Sequence, residues 1–259
     1  MFSDVKRHML YRIGNAPARP YPYAHFFLEG VFPDDFYAEL RRRLPSAAAY
    51  TSIAQTGRVT RGAYPERAIF FLADEALGAL DAEAARFWRG ARELLLDQEL
   101  MALLIAKFEG AIQKRFADLE GDVTAEPETY LVKDGTGYHI GPHTDAPHRL
   151  LSALFYLPAD SRWRAHGTSL YLPADRKFTC EGGPHYHPEP FERIATMEYL
   201  PNSLFAFAKS DNSFHGVERV EEQGVVRDIV LYDVRLEGEM RRKGFGAATP
   251  AARDEKVMA

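Results

Sequence analysis

The chain has 259 residues, 46% apolar and 27% charged, which is the balance of a globular protein with enough apolar side chains for a sizeable core. Its 32 Lys and Arg against 37 Asp and Glu give a formal charge of -5, so no general positive field draws in a nucleic acid. The single cysteine, Cys180, excludes an internal disulfide, and the longest apolar run, residues 94–106, is broken by Asp97, Gln98 and Glu99, which argues against a membrane span. With no signal-type apolar core at the N-terminus, the expected location is cytoplasmic.

In chain order, residues 23–28 read as a short strand. Pro33-Asp34-Asp35 then opens a helix in which Phe36, Leu40 and Leu44 recur at about four residues. Residues 74–119 contain no proline and place Phe87, Leu94, Leu95, Leu103 and Phe108 at helical spacing, which predicts two or three helices with an apolar stripe facing the core. After Gly121-Asp122 the pattern changes to short β-prone runs separated by Gly, Pro, Asp and Asn: residues 129–133, 151–156, 169–172, 194–199, 203–207, 215–220 and 227–236, with a shorter run at 138–140. About eight strands without intervening helices predict an antiparallel sandwich or jelly roll, because parallel strands need helical crossovers. The expected class is therefore α+β with a mainly β core and N-terminal helices packed on one face. The division expected within one domain, 1–259, is a strand with supporting helices (1–125), a β core (126–236) and a C-terminal tail (237–259) that frays from Arg241.

The segment richest in chemistry is Gly137-Tyr138-His139-Ile140-Gly141-Pro142-His143-Thr144-Asp145, where an imidazole and a carboxylate stand two positions apart and so share one side of an extended chain. A second imidazole, His215, opens a later strand in Ser213-Phe214-His215-Gly216-Val217. Two histidines and one carboxylate on one face of an octahedral metal leave three adjacent positions open, as a bidentate co-substrate plus dioxygen require.

The order His143-x-Asp145, Leu154-Phe155-Tyr156-Leu157-Pro158, Gly167-Thr168-Ser169-Leu170-Tyr171, Pro201-Asn202-Ser203-Leu204-Phe205, His215 and then Arg227 resembles the prolyl-hydroxylase-like branch of the 2-oxoglutarate/Fe(II)-dependent dioxygenases. The resemblance covers roughly residues 128–236. It implies a double-stranded β-helix (jelly roll) core, with His143, Asp145 and His215 as iron ligands and catalytic centre. It also implies Arg227 as the cation that grips the distal carboxylate of 2-oxoglutarate. A guanidinium suits that task, because it presents two parallel donors to a carboxylate and stays charged when buried. Many relatives carry a Ser or Thr two residues after the arginine; here that position is Ile229, so the hydroxyl on the co-substrate is expected from Tyr156 or Tyr130.

The activity so implied is an Fe(II)-, 2-oxoglutarate- and dioxygen-dependent hydroxylase that releases succinate and CO2 and acts on an unactivated C–H bond of a small molecule. Asp145 favours hydroxylation over halogenation, since related halogenases carry a small residue at that position. A reading from another class is a non-catalytic metal-binding jelly-roll module, which would have little need for Arg227 and Tyr156. His139 is expected to be structural or substrate-facing. His148 and Arg149 either face solvent or bind an anionic substrate. Cys180, His185 and His187 have zinc-compatible side chains but no second Cys or fourth ligand beside them, so the Pro- and Gly-rich stretch 173–192 is expected to be a lid over the substrate.

Overall fold

The architecture is taken from a computed structural model of the chain, in which residues 2–60, 62–238 and 240–242 are described. The helical half comprises α1 (Phe2–Asn15), β1 (His25–Glu29), α2 (Asp34–Arg42), β2 (Thr51–Ser52), β3 (Arg67–Phe71), α3 (Asp74–Gly78), α4 (Ala82–Leu95), α5 (Gln98–Lys107) and α6 (Glu109–Arg115). There follow β4 (Leu119–Glu120), β5 (Val123–Gly135), β6 (Ile140–His143), β7 (Arg149–Tyr156), β8 (Thr168–Pro173), β9 (Phe191–Met197), β10 (Ser203–Ala208), β11 (His215–Val217), β12 (Val226–Gly238) and β13 (Arg241–Arg242).

The stretch expected to hold two or three helices holds four, because two aspartates act as N-caps inside it. Asp81 accepts hydrogen bonds from the Glu83 and Ala84 amides at the start of α4, and Asp97 accepts from the Glu99 amide at the start of α5. Helix α1 was not anticipated, although Val5, Met9 and Ile13 recur every four residues and all three are buried.

Every strand pairing is antiparallel. A seven-stranded sheet runs β1-β10-β7-β12-β5-β3-β2, a four-stranded sheet runs β6-β11-β8-β9, and β13 pairs with β4. The stretch expected to fray from Arg241 thus begins as paired strand; the rest of that expectation, residues 243–259, lies outside the described residues. The short run expected at 138–140 is displaced to β6, and β3 was not anticipated at all.

The period-two alternation of the large sheet decides what each face does. Leu151, Ala153 and Phe155 of β7, with Val230, Tyr232 and Val234 of β12, join α1, α2, α4 and α5 in the main apolar cluster, so the helices pack on one face as expected. The residues between them, Tyr156 and Ile229 among them, point the other way into a second cluster that includes Leu170 of β8 and Met197 of β9. The two sheets therefore enclose a common interior. Asn202 ties the turn into β10 to the helical layer. It adopts the left-handed conformation with φ 54°, accepts from the Phe32 amide at 2.9 Å and donates to the Phe32 carbonyl at 2.8 Å. No helix among the described residues is long and apolar enough to cross a membrane.

Candidate metal centre

His143 ends β6 and His215 begins β11, and the two are direct register partners. Their ring centroids lie 4.3 Å apart, and one donor atom each from His143, Asp145 and His215 falls within 4.8 Å of the others. His143 Nδ1 lies 2.9 Å from the Gly141 carbonyl, and His215 Nδ1 lies 3.0 Å from the Ser213 carbonyl. A carbonyl only accepts, so each Nδ1 carries the proton and each Nε2 keeps a free lone pair. Burial, together with the neighbouring His215 and His185 rings, holds the His143 pKa well below the usual histidine range, and the ring is neutral as a metal ligand must be.

Asp145 is fixed by two side chains. Arg149 Nη1 donates to Oδ1 at 2.9 Å and Ser152 Oγ donates to Oδ2 at 2.8 Å. Burial works against the carboxylate, but the Arg149 guanidinium and the Ser152 hydroxyl favour its charged form, and the Asp145 pKa is lowered. Arg149 also reaches a second buried acid, Asp233, at 3.0 Å through Nη2. The role of Arg149 in holding Asp145 was not foreseen, although a cation four residues after a candidate ligand was visible in the sequence.

The three donors open onto a cavity of about 540 Å³. Tyr130 lines it, as do Tyr138, Leu154, Thr168, Ile229 and Leu231. Burial is the main cause that pushes the Tyr130 hydroxyl up to about 12. Arg227 is fully buried behind this wall, its guanidinium carbon 5.9 Å from the Tyr138 ring centre and 5.5 Å from that of Tyr199. Its Nη1 donates to Asp134 at 2.6 Å, while Nε and Nη2 have no partner. Arg67, on β3, grips the same Asp134 at 2.6 and 2.9 Å, so two guanidiniums share one buried carboxylate.

Tyr156 does not offer its hydroxyl to the cavity, because Oη donates to Thr168 Oγ1 at 2.8 Å and accepts from the Thr168 amide at 3.2 Å. Tyr138, whose ring lies beneath Arg67 at 4.3 Å, has a buried hydroxyl without a partner, as does Tyr23. Tyr199 was also missed. Its hydroxyl accepts from the Asp228 amide at 2.6 Å and donates to the Asp228 carbonyl at 3.0 Å, which fixes the backbone next to Arg227.

His139 is exposed, with Nδ1 3.2 Å from the Gly137 carbonyl, and it does not line this cavity. The stretch 173–192 does not line it either. Instead it packs against β6 and the turn after it: the Tyr186 amide donates to Pro142 O at 2.9 Å, Thr144 Oγ1 donates to Cys180 O at 2.7 Å, and the His185 ring stands 4.5 Å from that of His143. The residues that line the cavity from outside 126–236 are Ile53, Arg58 and Val59, ahead of β3, and Arg67, at its start. Composition marked 173–192 as irregular but gave no sign of which side it packs on.

No family model and no curated protein matches the chain. Among solved structures it is similar to a prolyl-4-hydroxylase from Pseudomonas putida, at 18% identity over 91% of this chain and 98% of that one, with a TM-score of 0.44. It is also similar to SnoN, a non-heme alpha ketoglutarate dependent epimerase from nogalamycin biosynthesis, at 14% identity over 99% and 96% with a TM-score of 0.48. A third similar structure is HygX from Streptomyces hygroscopicus with nickel, 2-oxoglutarate and hygromycin B bound, at 12% identity over 88% and 86% with a TM-score of 0.45.

Proposed function

We propose that the chain is an Fe(II)- and 2-oxoglutarate-dependent oxygenase with a double-stranded β-helix core that hydroxylates a C–H bond of a small molecule. One conjunction carries this reading: a His143, Asp145 and His215 donor set faces a cavity behind whose wall lies the Arg227 guanidinium, fully buried, with two N–H groups unpartnered. Leaving such donors buried and unsatisfied costs stability, so the arrangement makes sense when an anion completes it.

The residues fit the metal by type and protonation: two imidazoles with free Nε2 lone pairs and one ionised carboxylate suit iron(II). Iron bound there with 2-oxoglutarate supplies dioxygen activation coupled to oxidative decarboxylation, giving succinate and CO2. The protein's own contribution is placement. Gly141 and Ser213 carbonyls orient the two imidazoles, and Arg149 and Ser152 orient Asp145. Arg227 Nε and Nη2 would grip the distal carboxylate, and the hydroxyl beside it would come from Tyr130 or Tyr138, both of which line the cavity, rather than from Tyr156, which Thr168 holds. Leu154, Ile229 and Leu231 keep water from the space between anchor and donors.

The test is succinate formation from 2-oxoglutarate after anaerobic Fe(II) loading and admission of oxygen, on a panel of small molecules. Succinate that depends on Fe(II) and is lost in His215→Ala supports the reading. Its absence without and with every panel member, in protein shown to hold iron, contradicts it.

A further inference from the structure

Arg67, Asp134 and Arg227 form one row across three neighbouring strands. Arg67 of β3 and Arg227 of β12 are each the register partner of Asp134 on β5, which lies between them. Adjacent strands run about 4.8 Å apart, so the two arginine backbones stand roughly 10 Å apart with the carboxylate in the middle. The next two rows on the same face are Ile69-Val132-Ile229 and Phe71-Tyr130-Leu231. Val132, Tyr130, Ile229 and Leu231 from these rows line the cavity onto which His143, Asp145 and His215 open, and Arg67 lines it too.

The charged row holds one carboxylate for two guanidiniums. Asp134 accepts from Arg67 Nε at 2.6 Å and Nη2 at 2.9 Å, and from Arg227 Nη1 at 2.6 Å. Among the described residues neither guanidinium pairs with a second acid. The acids next to them in the chain are turned elsewhere: Glu66 lies against Gly137, and Asp228 is held by Arg41 at 3.2 Å and by Lys133. Tyr138 offers its ring to both guanidiniums, at 4.3 and 5.9 Å, but no charge, because burial pushes its hydroxyl well up. The row therefore carries one net positive charge. Arg227 stands behind the cavity wall, whereas the Arg67 side chain is 20% exposed and its Nη1 makes no hydrogen bond among the described residues. An anion that approaches from the metal donors meets Arg67 at the wall itself.

We infer that Arg67 is a second cation for the distal carboxylate of 2-oxoglutarate, with Asp134 holding Arg67 and Arg227 at a fixed spacing to either side of it. This rests on the oxygenase reading and deepens it: the pair of arginines selects a 2-oxo acid with a second carboxylate over one without. Two guanidiniums around one buried acid leave charge and donors to be completed, and a carboxylate completes both.

The test is calorimetric, on protein loaded with Ni(II). Two probes are titrated: 2-oxoglutarate, and 2-oxopentanoate, which keeps the metal-binding end and the chain length but lacks the distal carboxylate. Arg67→Gln should weaken 2-oxoglutarate at least about tenfold while 2-oxopentanoate and Ni(II) itself change by less than about threefold. Arg67→Lys, which keeps a charge, should lose less than Arg67→Gln. In Asp134→Asn the Arg67→Gln effect should persist, and its disappearance there would mean that Arg67 acts only through Asp134 and makes no contact of its own. Unchanged 2-oxoglutarate affinity in Arg67→Gln overturns the inference, as does an equal loss for both acids, which would mark a general disturbance of the site. The oxygenase reading fails separately, when 2-oxoglutarate does not bind the Ni(II)-loaded wild type; binding there with no effect of Arg67→Gln removes Arg67 alone.

Discussion

His143 and His215 stand directly opposite each other across the β6–β11 pairing, with ring centroids 4.3 Å apart. The pairing of two strands thus sets the spacing of two donors far apart in sequence, and anything that separates the strands should open the site. Gly216 tests this. A Cβ there would fall 2.5 Å from the Ile140 carbonyl on the facing strand. Gly216→Ala should cost about 1–3 kcal/mol by overpacking and weaken metal binding as well. Thermal unfolding with and without Ni(II) reads both, and unchanged metal stabilisation would show that strand spacing does not set the donors.

Arg149 acts on the metal through Asp145, to which it donates at 2.9 Å. Arg149→Gln should lower metal affinity by about 10- to 100-fold, the usual effect of removing a group that orients a ligand. Arg149→Lys should recover part of the loss. Metal titration of the three proteins checks this, and equal affinities would show that Arg149 does not act on the metal through Asp145.

Much of this site was legible from residue order alone. His143, Asp145 and His215 come together as their spacing suggested, and the β-prone runs 151–156 and 227–236 form β7 and β12. What stayed hidden depends on long-range pairing. Arg67 meets Asp134 because β3 pairs with β5, with Arg67 opposite Asp134, and nothing local to Arg67-Ala68-Ile69 announces that neighbour. Tyr138 likewise gains its place between Arg67 and Arg227 from three separate segments. For Tyr156, the sequence could place the ring but not show that Thr168 would occupy its hydroxyl.

Arg227 offers two unpartnered donors, which a lysine cannot reproduce. Arg227→Lys should raise the KM for 2-oxoglutarate at least about tenfold, equivalent to about 1.4 kcal/mol of lost binding. Steady-state succinate formation against 2-oxoglutarate concentration measures it, and an unchanged KM would remove Arg227 from the co-substrate site.

Asp233 carries a pH signature. Burial, its largest cause, and the nearby Asp145 carboxylate push its pKa up to about 6 against the opposing pull of Arg149. The folded chain therefore holds this proton more tightly than the unfolded chain, and the associated stability is present below the ordinary carboxylate range and lost as pH rises through about 6. Asp145 has the opposite sign, so the comparison must be with Asp233→Asn rather than within the wild type. In metal-free protein the variant should gain stability relative to the wild type between pH 4 and pH 7, by about 3 kcal/mol at most. Chemical denaturation across that range checks it; a constant difference would mean that Asp233 stays ionised throughout.

The most direct measurement of the central claim is calorimetric titration of 2-oxoglutarate into the protein under anaerobic conditions, with and without Ni(II) in place of Fe(II). One saturable site is expected with metal, weakened at least about tenfold when the metal is omitted and equally in His143→Ala with metal present. If 2-oxoglutarate fails to bind the metal-loaded protein, or binds as tightly without metal and in His143→Ala, then His143, Asp145, His215 and Arg227 do not form a metal and co-substrate site.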